Sequence, residues 1–408
     1  MNISMRDNPV VPPVSRVTTA LVGGGPAAFG VLAELVESGR IEQHAQRGMQ
    51  IVSAGPAERF GAGRLGDYLV RSDTRGRVFV ECALPHLDRG KRCDRDAVQT
   101  CETDDPVDLP VAADLLARAG RHLLRNAGGI PEVTVRASTQ VTGLRSTSAD
   151  GALVELATTG GTILADEVLL ALGGRPWAPS IARPVEALAL HSDIALQAPG
   201  MASVLHTLSG REPRVTIVGG AHSAFAVAGL LLRLPLAWSA GSITVLHRRP
   251  VVVTYPDTEA ARADGVDVRV DCVCPDTGIV HRFGGLRADS AALFRRVRDG
   301  DDQRVHLVRV DSRELHTSDP VVIAATGYRS RVSDLVRGST WDGTGRLSDR
   351  WGRLLPGVRG MGLGTARPHL GSTGGEPEFT GSVDGVWFYR NVVAPNLVAS
   401  SAPALARA

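Results

Sequence analysis

One local pattern occurs twice and sets the terms for everything else in the chain. Residues 22–30 read VGGGPAAFG and residues 218–226 read VGGAHSAFA. Each follows an apolar run with the character of a strand (residues 18–22 and 215–218) and leads into an apolar run with the character of a helix. A glycine loop in that position turns the chain sharply and aims the free N–H groups of a helix N-terminus at an anion. A single loop of this kind is weak evidence, because short glycine patterns arise by chance. Two in matching strand–loop–helix contexts point to two nucleotides held face to face, an arrangement that serves electron transfer between cofactors.

Length and composition agree with such a protein. At 408 residues the chain has room for two or three domains, and 43% apolar residues with 46 glycines suit an α/β core. The formal charge is only +2, and Lys91 is the sole lysine, so the positive charge is almost all arginine. These arginines are scattered among acids with no long basic run, which argues against a nucleic-acid partner. The first 16 residues hold prolines and mixed charge rather than an apolar stretch, so no signal peptide is expected. No run approaches the roughly 18 apolar residues a membrane helix needs. Five cysteines in a long chain of this kind read as reduced thiols, and the expected compartment is the cytoplasm.

Along the chain, Ala28, Leu32, Leu35 and Val36 fall on one face of the first helix, with Gly39 as its stop. Residues 49–52 read as a short strand, and residues 55–95, rich in Gly, Arg and Asp, read as an excursion outside the core. Asp108 and Pro110 introduce a helix carrying Ala112, Leu115, Leu116, Ala119 and Leu123 at helical spacing, closed by Gly128 and Gly129. Short strands follow at 133–137, 141–144, 153–157, 162–164 and 167–172, a meander. Residues 198–213 cross into a second unit, which holds the second loop, a helix through Leu234 and a strand at 242–247. Strands at 305–310 and 321–325 read as the return to the first unit.

Within the first loop, Gly23, Gly25 and Ala28 occupy the three positions of G-x-G-x-x-G/A. Gly23 allows the tight turn, Gly25 lets the backbone approach a pyrophosphate, and Ala28 lets helix and strand pack closely. Pro26 suits the first helical turn, where its missing N–H costs nothing, and Ala27 follows it. Ser53 and Ala54 stand where an acidic residue would bind the ribose hydroxyls. In the second loop Gly219 and Gly220 are followed by Ala221, whose methyl group would crowd a pyrophosphate, while Ser223 and Ala224 open the helix. After the next strand, His247, Arg248 and Arg249 lie where a 2′-phosphate would sit, and adjacent guanidiniums favour NADPH over NADH.

Taken in order, the segments VGGGPAA, VLLALGGRPWAP (168–179), VTIVGGAHSA (215–224) and VVIAATGYRS (321–330) resemble the class B flavoprotein monooxygenases, the flavin-containing and N-hydroxylating enzymes. The most specific element is Ala325-Thr326-Gly327-Tyr328, similar to that family's A-T-G-Y segment. His191-Ser192 matches the family's linker H-S, while Leu172 replaces a threonine in the first crossover.

The resemblance implies an α/β fold with two Rossmann-like dinucleotide-binding domains, a glutathione-reductase-like FAD domain carrying an inserted NADPH domain. The expected division is residues 1–205 and 321–408 for FAD and 206–320 for NADPH. It implies an FAD- and NADPH-dependent monooxygenase that uses O2 and a C4a-hydroperoxyflavin to oxygenate a small molecule, with nitrogen as the expected target. Thr326, Gly327 and Tyr328 join the expected cofactor-binding residues, as do Ser72 and Asp73 in the polar run Arg71-Ser72-Asp73-Thr74 beside the flavin. Further backbone donors are expected at residues 371–375 and 379–381, with a short helix from about Asp384 aimed at the flavin. Two alternatives stay open: a flavoprotein NAD(P)H reductase or dehydrogenase, and a flavin-binding protein whose second site is degenerate. Cys272, Cys274 and His281 lack a fourth metal ligand and read as ordinary thiols beside a histidine; no metal is expected.

Overall fold

The computed structural model describes residues 14–147, 153–311, 315–342, 345–363, 365, 375–379 and 385–401. It begins as the first loop demands. Strand β1 (Val14–Val22) runs into the glycine loop and helix α1 (Pro26–Glu37), with Gly25 at the N-cap and Pro26 in the first turn. Strand β2 (Met49–Val52) lies parallel to β1 and is buried throughout. Beyond it comes β3 (Arg71–Arg75), then α2 (Leu109–Gly128), whose five periodic apolar residues are all buried. Phe29 on α1 is fully enclosed, and its truncation to alanine would cost roughly 3–5 kcal/mol in lost contacts and cavity.

Strand β4 (Val133–Arg136) pairs in parallel with β2, so it belongs to the main sheet and not to the meander the pattern implies. The meander itself is β5 (Val141–Ser146), β6 (Val154–Thr158) and β7 (Gly161–Leu170). β7 is one ten-residue strand where two were expected; β1 flanks it from Thr162 to Leu170, and it alternates where β6 lies on its other side and is wholly buried from Glu167, past the end of β6. Residues 55–95 are likewise more than an excursion: Phe60, Ala62, Phe79, Val80, Cys82 and Ala83 all join the core packed on α1 and α2.

After the first crossover, β8 (Gly174–Pro176), the second sheet opens with β9 (Leu188–His191). Helix α3 (Ala198–Leu208) leads to β10 (Val215–Val218), the second loop, α4 (His222–Leu231) and β11 (Ile243–His247). Helix α5 (Ala288–Arg298), β12 (Val305–Arg309) and β13 (Val321–Ala324) complete the unit. All five strands are parallel, in the order β9-β13-β10-β11-β12. This corrects the expectation that residues 305–310 and 321–325 return to the first unit. The fully buried run of β13 is sandwiched between β9 and β10, a position that suits an uninterrupted apolar strand.

The return comes later. Strand β14 (Tyr328–Ser330) pairs antiparallel with β8, so the two crossovers lie against each other. Strands β15 (Thr340–Trp341), β16 (Arg346–Ser348) and β17 (Leu354–Gly360) extend the first sheet, with β17 parallel to β7. Helix α6 (Ala394–Ser400) then packs on α1. The first sheet reads β15-β16-β17-β7-β1-β2-β4, with β5 and β6 attached through β7. No helix among the described residues is long and apolar enough to cross a membrane.

Candidate functional site

Both glycine loops use the same backbone device. Gly23 and Gly219 have φ of 145° and 134°, and a Cβ on either would fall 2.4 Å from the Ala171 carbonyl oxygen or 2.1 Å from that of Ala325. Each loop thus passes directly beneath the chain as it leaves its own sheet, and only glycine fits there. At Gly25 the situation differs: an added Cβ would meet nothing nearer than the Gly63 Cα at 3.9 Å, so the loop is open to an approaching group. That opening fits a pyrophosphate against the first turn of α1.

The space beyond it is a cavity of about 910 Å³ between the two sheets, large even for a ligand pocket. Gly23, Gly25, Pro26, Ala27 and Ser53 line it from the first unit, and Ser72 and Asp73 from β3. The second unit contributes His222 and Ser223 at the start of α4, and Tyr328 comes from the second crossover. Ala28 is buried behind the wall at the helix–sheet contact, and Ala224 holds the equivalent place in α4. Gly219, Gly220, Thr326 and Gly327 shape the second loop and crossover without reaching the cavity wall; the Thr326 hydroxyl donates to the Trp177 carbonyl. Arg248 and Arg249 are exposed just past the end of β11, outside the cavity, with no carboxylate partner among the described residues. Ser53 donates to the Gly55 carbonyl at 2.8 Å.

Charged groups from the two units meet across the cavity. Arg71 pairs with Asp289 and Arg287 with Asp73, both at 3.4 Å, while His222 lies 3.8 Å from Asp73. The His222 ring also bonds the Gly285 carbonyl at 3.0 Å, and burial pulls its pKa below the usual range, favouring the neutral ring. Ala288, between these two arginine–aspartate pairs, is held at φ 45°, a conformation rare for a residue with a side chain.

Sequence reading missed the most enclosed polar group of the wall. Asp193, only 3% exposed, follows the His191-Ser192 pair. Its Oδ1 accepts the Tyr68 hydroxyl at 2.5 Å and the Tyr328 hydroxyl at 3.2 Å, and its Oδ2 accepts Arg64 Nη1 at 2.8 Å. Burial and the adjacent carboxylate raise both tyrosine pKa values well beyond the usual range, so both phenols are neutral donors. For Arg64, burial opposes the charge, but Asp193 more than offsets it. Arg64 and Tyr68 are four residues apart, but Asp193 lies 125 or more residues from both and 135 from Tyr328, so no local periodicity connects the cluster.

Cys272 and Cys274 are buried, and no group of three metal-ligating side chains occurs among the described residues. Burial opposes the Cys274 thiolate, but hydrogen bonds from Thr277, Arg282 and the Gly375 N–H bring its pKa down to about 7. His281 pairs instead with Glu378 at 3.0 Å, and the buried Glu376 carboxylate accepts the Phe283 and Gly284 N–H groups at 2.8–3.1 Å. Residues 371–374 and 380–384, where backbone donors and a helix start at Asp384 are expected, lie outside the described residues; the helical segment begins at Val386.

No family model matches the chain. Comparison with solved structures finds the ornithine N-hydroxylase of Kutzneria sp. 744, with reduced FAD, NADP+ and L-ornithine. It covers 94% of this chain and 98% of its own at a TM-score of 0.55 and 15% identity. The bacillithiol disulfide reductase of Staphylococcus aureus matches equally well, at 0.54 and 12% identity over 95% and 98% of the two chains, so these likenesses establish the fold alone. Sequence is more selective. The CMP-5′-(3-aminopropyl)phosphonate hydroxylase of Streptomyces rubellomurinus is 30% identical over a 427-position alignment spanning 93% of this chain and 95% of its own. On that likeness, together with the ordered glycine, crossover and A-T-G-Y segments, the chain belongs to the class B flavoprotein monooxygenases, a family of flavin-dependent oxidoreductases.

Proposed function

We propose that the protein is an FAD- and NADPH-dependent monooxygenase that oxygenates the nitrogen of a small aliphatic amine. The observation that carries this reading is the single cavity walled by the first turns of both α1 and α4. FAD would lie along Gly23, Gly25, Pro26 and Ala27, with its adenosine toward Ser53, its ring toward Ser72 and Asp73, and Ala28 packed behind the wall. NADPH would meet Ser223 at the cavity wall, with Gly219 and Gly220 turning the loop behind it and Ala224 packed beneath. Its 2′-phosphate would rest on Arg248 and Arg249, whose guanidiniums have no carboxylate partner among the described residues and suit a dianion. Thr326, Gly327 and Tyr328 would hold the crossover between the two. The domain division follows the strand pairing, with the NADPH domain bounded by β9 and β13 rather than by residues 206 and 320.

When bound, reduced flavin supplies the O2 activation this chemistry needs. The chain's own work is to orient two rings and exclude water: the reciprocal Arg71–Asp289 and Asp73–Arg287 pairs hold the two units together over the cavity. The amine reading draws on the Streptomyces rubellomurinus relative, a hydroxylase of an aminopropyl compound, whose substrate carries an aliphatic amine.

The test is anaerobic mixing of the flavin-loaded protein with NADPH, followed by air and CMP-5′-(3-aminopropyl)phosphonate. Rapid flavin bleaching and a product one oxygen heavier, retained on nitrogen, are expected. NADPH consumption that ignores every amine offered and yields only hydrogen peroxide would refute the reading.

A further inference from the structure

We infer that Asp193 is the docking point for the ammonium group of the substrate, with Tyr68 and Tyr328 completing the site. The inference rests on the amine reading above and adds the residues that recognise the amine. An ammonium entering the cavity gives up hydration, and this is tolerable only against an anionic partner. Four aspartates line the cavity among the described residues. The side chains of Asp73, Asp289 and Asp334 are 43%, 60% and 48% exposed, whereas that of Asp193 is 4% exposed. A desolvated cation is therefore held more firmly at Asp193 than at the other three, whose charge is screened by water.

The donor and acceptor inventory fits an ammonium as well. Both phenols direct their proton to Oδ1, and although the two hydroxyls also contact each other, each oxygen keeps at least one lone pair to accept. A primary ammonium brings three donors and no acceptor, matching Oδ2 and the two phenol oxygens. Arg64 now occupies Oδ2, but its side chain is 45% exposed and its Nε already lies 3.8 Å from Asp67 Oδ2. Arg64 has a second carboxylate to turn to, so an incoming amine displaces it without stranding its charge. The site thus selects alkylammonium compounds that can donate hydrogen bonds and rejects quaternary ones.

Calorimetric titration of the flavin-loaded protein tests this without turnover, using CMP-5′-(3-aminopropyl)phosphonate and its amine-free analogue CMP-5′-propylphosphonate. The wild type should prefer the amine by about ten-fold or more. Asp193→Asn should abolish that preference while leaving affinity for the analogue unchanged. Arg64→Gln, at a half-exposed position, should tighten amine binding several-fold by removing the competitor. A wild type with no preference, or an Asp193→Asn protein that keeps it, overturns the inference. If Asp193→Asn fails to fold, unchanged or weaker amine binding by Arg64→Gln does the same. An Asp193-dependent preference in a protein that forms no hydroxylated product would instead leave this site standing and refute amine oxygenation.

Discussion

The two strand–loop–helix units follow nearly the same backbone path and differ in what they place on it. Gly25 sits at the N-cap of α1 with φ −95° and ψ −169°; Ala221 sits at the N-cap of α4 with −109° and −173°. Both are extended conformations that any residue adopts, so the methyl group of Ala221 costs the backbone nothing. Its effect is confined to the space in front of the loop. The next position differs more: Pro26 presents no N–H and no polar side chain, whereas His222 reaches across to Gly285 and toward Asp73. A glycine-to-alanine departure that reads in sequence as decay is, in three dimensions, a conserved turn with a different wall. The positions where glycine is structurally required, Gly23 and Gly219, are glycine in both units.

The strongest way to break this comparison is to fill those two positions. Gly23→Val should yield colourless protein of much reduced stability, because the side chain must displace the Ala171 carbonyl. Gly219→Val must displace the Ala325 carbonyl and should also lose stability, but the folded fraction should retain flavin and lose at least about 100-fold in the rate of flavin bleaching by NADPH. The flavin-to-protein absorbance ratio and anaerobic stopped flow read the two outcomes. Release of flavin from Gly219→Val would show that the units do not hold their nucleotides independently.

Next in size, the double change Arg248→Gln and Arg249→Gln should raise KM for NADPH roughly 10- to 50-fold and leave NADH nearly untouched, since only the 2′-phosphate is lost. An equal loss for both cofactors would place the arginines elsewhere on the nucleotide. A smaller effect comes from exchanging the loop residues. Gly25→Ala should weaken flavin binding, and Ala221→Gly should tighten NADP+ binding about two- to ten-fold. No change on Ala221→Gly would mean that the methyl group stands clear of the ligand.

The smallest effect belongs to His222. Its folded pKa lies below the ordinary value near 6.5, so the unfolded chain binds more protons across that window. The stabilisation is complete above about pH 6.5 and is lost as the pH falls toward the folded value. Thermal unfolding should therefore move to lower temperature on acidification, and His222→Gln should flatten part of that slope. His86, also lowered by burial, would carry another part. A His222→Gln profile parallel to wild type would show that His222 contributes nothing to the pH dependence of folding.

Much of this architecture was legible because it is local. Strand–glycine–helix punctuation, the periodic apolar face of α2 and the A-T-G-Y segment each lie within about 20 residues and declare themselves through turn geometry and spacing. The errors share one cause. Residues 305–310 and 321–325 were recognisable as strands, but a parallel strand accepts neighbours from anywhere in the chain, and an all-apolar run says only that both sides are covered. Residues 55–95 looked peripheral because their charged residues outnumber the few apolar ones, Phe60, Phe79 and Val80, that anchor them.

By itself, then, the sequence determined the backbone devices: where the chain must turn, which helices open toward an anion, and that this happens twice. Those are short-range consequences of glycine, proline and apolar spacing. Only the tertiary structure decided that β13 lies between β9 and β10, and that the first turns of α1 and α4 face one cavity. It also gathered Arg64, Tyr68, Asp193 and Tyr328 into a single buried cluster. Burial and hydrogen-bond partnership are properties of position in space, and residues this far apart in the chain acquire them only when the two sheets close on each other.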